Sequence, residues 1–597
     1  MTEAALVAAP STNSGRPPIL PLFFFVACFG LFAYHALPLL TFPYELRYGE
    51  GVVLDQSRRV FEDPGLYPPF DEPPYLIGNY PPVYPAVCSL LPTPTPFFGG
   101  RLLSIVSCLA VAGWIFLLAR RYGGDTGGLI AGGLYLVLPE VHDFGVLMRI
   151  DSFGLALGLA GFYCTTRESS GRAEMAWRIG GAVAFFFSVY TRHSMLVLPL
   201  IAYGTVLGRA TAGGTNAVAR ALLWPLALLV VGASAFLIAN VVYNGAPYEH
   251  LIFMNRLPYS WSRVESLWFL SMAPWRYPLC LLVLLALRPN LAERGSRTPR
   301  DYSKRGLFWL SWVGVAICVY LIAAPHLENL ISSEPTLASE GVRDRTVLLG
   351  SVVQAVTFLF ALGALWGWTG KPEQDRSTRV AGGMVVGGIA SALLIGRVGS
   401  DVNYLFEYYA LGCIAIGGCW STTQGPIRGL WIGLVAVFVV TNVAHPFTVG
   451  ANRGERRTAI AKQSRILRHL LEVEDPILSQ DPGLIAILDR PLYYQPFMYR
   501  QLADAGIWDP ETLAKEVREQ KFGAIVVKKM QPYAFYEDRN GNRVPQFGPV
   551  VESAIDGYPK EVIEAYQQAY EHLEGSTMVE IVTDHLRVAR LILVPRE

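Results

Sequence analysis

Carboxylates, guanidinium groups, tyrosines and amides gather in a few short stretches of an otherwise apolar chain. The stretch YELRYGEGVVLDQSRRVFEDPGLY (44–67) carries Glu45, Tyr48, Glu50 and Asp55 at helical spacing. PPYLIGNYPPVYP (73–85) follows, with Tyr80 and Tyr84 in a Pro-rich, stiff segment. Arg149 and Asp151 stand at the mouth of one apolar run, and Thr191-Arg192-His193-Ser194 interrupts another. Asn403, Tyr404 and Glu407 open a third; Asn403 and Glu407 share a helix face. A positioned carboxylate can take the proton of an attacking hydroxyl. A guanidinium can meet the charge that grows on a departing phosphate. Tyrosines and amides can stack on a sugar or hydrogen-bond to it. Each stretch also has a plainer reading: a solvated loop, a mutual Arg149–Asp151 ion pair, an Arg192 that snorkels to lipid headgroups, a structural His193.

The elements that must position these groups lie in a bilayer. Of the 597 residues, 52% are apolar and 16% charged, against roughly 25% charged in soluble domains. Mean hydropathy is +0.33. Such a chain cannot hide its apolar surface by folding in water. With 49 basic and 48 acidic residues the net charge is +1, which gives no basic field for nucleic acid. The abundant aromatic and branched residues exclude intrinsic disorder. The eight cysteines form no CxxC pair and read as small hydrophobes in helix packing.

The apolar runs predict about thirteen membrane spans. They fall near 19–41, 97–119, 125–141, 152–166, 179–191, 194–208, 221–242, 270–287, 307–324, 346–368, 380–397, 405–420 and 429–446. Lys and Arg are denser in the loops that face inside when residues 1–18 form a cytoplasmic tail. The odd number of spans then places the C-terminal tail outside. On that topology the stretches described above share the outer face, including the long first outer loop 42–96.

After residue 446 the composition turns charged. DPETLAKEVREQKF (509–522) predicts an amphipathic helix, followed by the strand GAIVVKK (523–529). YPKEVIEAYQQAYEHLEG (558–575) predicts a second helix, and MVEIVTDHLRVARLILV (578–594) a strand pair. The expected architecture is a polytopic α-helical membrane domain over 19–446 and a small extracytoplasmic α/β domain over 447–597.

The polar stretches, in this order and on one face, resemble the GT-C superfamily of integral membrane glycosyltransferases. They look most like the family-39 branch of protein O-mannosyltransferases and lipid A aminoarabinose transferases. The motifs are Gly65-Leu66-Tyr67, Tyr80-Pro81-Pro82-Val83-Tyr84-Pro85, Arg149-Ile150-Asp151, Thr191-Arg192, and Asn403-Tyr404-Leu405-Phe406-Glu407. The resemblance implies transfer of a sugar from a polyprenyl-phosphate donor to an acceptor hydroxyl, with inversion at the anomeric carbon. The acceptor is a glycan, lipid or protein, and membrane lipids surround the site. The family's Asp-Glu pair falls on Gly49-Glu50, so Glu50 is the expected general base, with Asp151 sharing its task. Arg192, with His193 and Arg149, is expected to hold the donor phosphate. Glu45, Tyr48, Asp55, Tyr80, Tyr84, Asn403, Tyr404 and Glu407 are expected sugar or acceptor contacts. No metal ligand is assigned, because a metal-binding Glu of the aminoarabinose branch has no counterpart near Asn79–Pro82; dependence on a divalent metal stays open. A polysaccharide polymerase or ligase, a lipid-sugar transporter and an inactive glycan-binding membrane protein are the rival readings.

Overall fold

A computed structural model describes residues 19–62, 65–210, 215–255, 392–422, 426–451, 466–537, 543–547, 551–552, 557–573, 578–583 and 586–596, with Leu257, Tyr259, Ser260, Val264 and Ser464. The spans expected near 270–287, 307–324 and 346–368, and most of 380–397, lie outside the described residues.

The helical part begins with α1 (Ile19–Leu40). Helices α2 (Glu50–Arg59) and α3 (Val83–Ser89) follow. Helix α4 (Phe98–Leu136) is broken at Gly124, whose φ of +68° only glycine adopts readily. The chain reverses there. A Cβ on Gly132 would lie 3.0 Å from the Ala112 carbonyl oxygen, and one on Gly128 would press on Phe116. The two halves are therefore antiparallel and in backbone contact, as the separate runs 97–119 and 125–141 predict. Short α5 (Pro139–Asp143), then α6 (Ile150–Thr166), α7 (Gly171–Val189), α8 (Val197–Ala210) and α9 (Thr215–Val242) come next. Beyond the undescribed stretch come α10 (Phe406–Gly418) and α11 (Pro426–Ala451). Among the described residues, Ile19–Leu40, Phe98–Leu136 and Thr215–Val242 are long and apolar enough to cross a membrane by length and composition.

Small residues set the packing. Cβ atoms at Gly123 and Gly127 would lie 3.0 and 3.1 Å from the Gly417 carbonyl carbon, so α4 and α10 touch through their backbones. Without a hydrophobic drive between helices in lipid, such close approach is what holds them. Helix α10 is buried along its whole length, whereas among the described side chains of α9 only Ala221 is buried. The first is a central helix and the second a peripheral one.

Among the described residues the C-terminal part holds a sheet of seven strands. They are β1 (Ile477–Ser479), β2 (Ala524–Glu537), β3 (Arg543–Phe547), β4 (Val551–Glu552), β5 (Tyr570–His572), β6 (Met578–Thr583) and β7 (Leu586–Pro595). The central path is β1-β2-β7-β5, with β3 and β4 on β2 and β6 on β7. Helices α12 (Pro482–Ile487), α13 (Pro496–Asp504), α14 (Glu511–Arg518) and α15 (Lys560–Ala569) complete it. The helix expected over 558–575 stops at Ala569. Tyr570 pairs with Pro595 on β7, and its hydroxyl donates to the Phe522 carbonyl at 2.8 Å. A distant edge strand claims backbone that local periodicity assigns to a helix.

This sheet is joined to the segment 42–96. The Tyr75 N–H donates to the Tyr493 carbonyl and the Gln495 N–H to the Tyr75 carbonyl, at 2.8 and 3.0 Å. Ile77 N–H donates to Gln495 Oε1 at 2.9 Å. Tyr75 and Ile77 are buried in the same apolar cluster as Leu478, Tyr494, Ile525 and Tyr570. The loop and the C-terminal part thus share one core.

Candidate functional site

Glu50 opens α2, and neither it nor Arg101 has any exposed surface. Arg101 Nε and Nη2 donate to its two carboxylate oxygens at 2.9 and 2.8 Å. The N–H groups of Leu46 and Met148 each donate to it at 2.8 Å. The remaining Arg101 hydrogens go to the carbonyls of Leu39, Phe42 and Tyr44. The pair knots the end of α1, the start of α2, the start of α4 and the residue before Arg149. A carboxylate so fully donated to has no lone pair aimed at a substrate. Glu50, the expected general base, is thus held by four donors, two from Arg101 and two from the backbone. Arg101 was not singled out in the sequence, although a lone cation inside an apolar run is itself a signal.

A second constellation lies one residue further on. Asp151, 2% exposed, sits in the first turn of α6. Its Oδ1 accepts from Arg192 Nη1 at 2.6 Å and from Asn403 Nδ2 at 2.9 Å. Its Oδ2 accepts from Arg149 Nε at 3.3 Å. Arg192 is placed by the turn between α7 and α8, and its guanidinium lies 4.2 Å from the centroid of the Tyr404 ring. Glu407, on the first turn of α10, faces Arg192. The Tyr80 phenol faces Arg149, Asp151, Tyr404 and Arg192; burial first, then Asp151 and Tyr404, raise its pKa, while Arg149 and Arg192 oppose them. So Arg149, Asp151, Arg192, Tyr80, Asn403, Tyr404 and Glu407 converge from four separate stretches.

Gly49 explains part of this geometry. Its φ is +106°, and a Cβ there would lie 3.4 Å from Arg149 Nη1. Arg149 donates through that same nitrogen to the Tyr48 carbonyl at 3.2 Å. The position where the family pattern puts an acid is therefore a left-handed glycine, with an arginine packed against its open face.

The other expected residues are placed elsewhere or act differently. Tyr48 links two parts of the chain: its hydroxyl accepts the Phe497 N–H at 3.2 Å. Tyr84 is fully buried and donates between α3 and α4, to Gly100 or Ser104 at 3.0 Å, so it offers no face to a sugar. Asp55 pairs with Arg59 at 2.7 Å within α2 and is a local brace. Glu45 accepts the Gly51 N–H at 3.0 Å and faces Asp481, at the seam with the C-terminal part. His193 lies beside Arg192 and Arg397; burial first, then these two cations, push its pKa down to about 4. Its imidazole is neutral at pH 7 and adds no charge for a phosphate. Asp401, two residues before Asn403, accepts the Val402 N–H at 2.7 Å and faces Arg149. Among the described residues no three His, Cys, Asp or Glu side chains form a metal-holding group.

No family model matches the chain, and no curated protein matches it. Among solved structures it is similar to ArnT from Cupriavidus metallidurans bound to undecaprenyl phosphate. The identity is 16%, over 95% of this chain and 97% of that one, with a TM-score of 0.43. It is also similar to the archaeal oligosaccharyltransferase AglB from Archaeoglobus fulgidus in complex with an inhibitory peptide and a dolichol-phosphate. There the identity is 10%, over 93% of this chain and 79% of that one, with a TM-score of 0.45.

Proposed function

We propose that the chain is a GT-C-type membrane glycosyltransferase. It moves a sugar from a polyprenyl-phosphate donor to an acceptor hydroxyl at the outer face, with inversion at the anomeric carbon. The observation that carries this reading is the Arg149–Asp151–Arg192 constellation, where two guanidinium groups flank one buried carboxylate at the ends of apolar helices. A lipid phosphate lies at headgroup depth, and helix ends are where such a group meets fixed cations.

In this reading Arg149 and Arg192 take the donor phosphate and the charge that develops on it. Asp151, rather than Glu50, takes the proton. As the acceptor oxygen bonds to the anomeric carbon, the bond from that carbon to the phosphate oxygen breaks and its electron pair leaves with the phosphate. The two functions are coupled. A phosphate that shares the arginines weakens their hold on Asp151 and makes it a better base when the donor is present. Glu50 acts at one remove, since it fixes Met148 and through it the course of the chain at Arg149. Residues 1–18 form the cytoplasmic tail, 19–446 the catalytic membrane domain and 447–597 an extracytoplasmic cover on the first outer loop.

The test is lipid analysis of cells that lack the chain. A carrier-bound saccharide accumulates, wild-type chain consumes it, and the Asp151→Asn variant does so at least about a hundredfold more slowly. Extracts without such a saccharide overturn the reading.

A further inference from the structure

Two oxygens beside Asp151 and Arg192 accept no hydrogen bond. Asn403 is 2% exposed; its Nδ2 is used on Asp151, and its Oδ1 receives nothing. Glu407 is 5% exposed; Arg192 and the Leu198 N–H face its carboxylate, and its Oε1 receives nothing. A buried acceptor left without a donor costs about 1–3 kcal/mol, and more when it is charged. Buried polar groups are paired in the great majority of cases. Two such orphans at spacing i and i+4, on the helix start that meets the arginine pair, point to a bound group that brings donors of its own.

The charges nearby say what kind of group. Arg149 and Arg192 meet Asp151, Glu407 and, on Arg149, Asp401, so no net positive charge surrounds the acceptors. An anion is taken by the arginines and repelled by Glu407. A divalent cation is disfavoured by the two guanidinium groups and finds no set of three ligating side chains among the described residues. A neutral group with several hydroxyls meets both demands, since each O–H can donate and no charge is buried.

We infer that Asn403 and Glu407 form the hydroxyl-reading wall of the site, accepting from adjacent O–H donors of the donor's sugar while Arg149 and Arg192 hold its phosphate. This rests on the transferase reading and adds to it a division of the site into an anion side and a polyol side.

The test uses the purified full-length chain in nanodiscs. Its probes are undecaprenyl phosphate and the same lipid carrying glucose or xylose, with thermal melts to verify folding. The measured quantity is the affinity ratio, glycosylated over bare, within each variant. In the wild-type chain the sugar raises affinity. Asn403→Leu and Glu407→Leu each cut the ratio about tenfold. Glu407→Gln keeps an acceptor oxygen and the side-chain size, cuts it about threefold, and supplies the readout where a leucine variant does not fold. Arg192→Ala weakens both lipids and leaves the ratio standing. Equal wild-type affinities for bare and glycosylated lipids mean that water satisfies the two oxygens, and overturn the inference. A ratio unchanged in the variants overturns it too. A wild-type chain that binds neither lipid removes the transferase reading itself, and the wall with it.

Discussion

The guanidinium of Arg101 meets both carboxylate oxygens of Glu50, at 2.9 and 2.8 Å, in a place with no exposed surface on either side chain. An ion pair of this kind is costly to bury and costlier to break, because removal of one partner strands the other charge. Glu50→Gln therefore destabilises the chain by about 3–5 kcal/mol. The double variant Glu50→Leu/Arg101→Met recovers most of that loss. Thermal unfolding in detergent checks both. A Glu50→Gln chain as stable as wild type contradicts the positioning role.

Arg192 is a planar cation stacked on Tyr404 and paired with Asp151. Lysine cannot reproduce both contacts. Arg192→Lys weakens undecaprenyl phosphate binding about tenfold, measured by titration in nanodiscs, despite the retained charge. Full affinity in the lysine variant would show that only net charge matters there.

Glu45 introduces a pH dependence at the seam with the C-terminal part. Burial first, then Asp481, push its pKa from an ordinary 4.5 up to about 8, with Glu50 adding to the rise and the Gly51 N–H and Lys528 opposing it. The folded chain then holds a proton that the unfolded chain releases, so stability falls as pH rises from about 4.5 through 8. Melting temperatures of wild type decline across that window. Those of Glu45→Gln decline less, so the variant is the more stable protein at pH 9.

Gly51 and Gly483 bring α2 and α12 into backbone contact. A Cβ on Gly51 would lie 2.7 Å from the Gly483 Cα, and backbone cannot swing aside as a side chain can. Gly51→Ala loosens the seam. Limited proteolysis reads this as faster cleavage within α12 and the 466–476 segment that precedes β1. A variant with wild-type resistance counts against the contact.

Much of the polar constellation was legible in the sequence. Arg149, Asp151, Arg192, Asn403, Tyr404 and Glu407 announce themselves as polar groups at the edges of apolar runs, because water and lipid sort residues along one dimension. What the sequence hides is pairing at a distance. Glu50 looks like a free acid because its partner Arg101 is 51 positions away. Tyr84 looks like a sugar contact because nothing local reveals Gly100 as its partner, whereas the Asp55–Arg59 pair stands at the i, i+4 spacing of one helix and is readable from the sequence. Gly49 hides its meaning in a dihedral angle. Tyr570 reads as helix because the strand that claims it lies further along the chain.

The shared core of Tyr75, Ile77 and the C-terminal sheet has a consequence for biosynthesis. Ile77 and its partner Gln495 are 418 positions apart. At roughly 5–20 residues per second, a ribosome takes about 20–80 s to deliver the second after the first. Throughout that interval the nascent segment around Ile77 must wait, unpaired, while the intervening chain is made. Its acids and prolines keep it soluble and unwilling to form stray strands, which suits a segment that is made early and completed last.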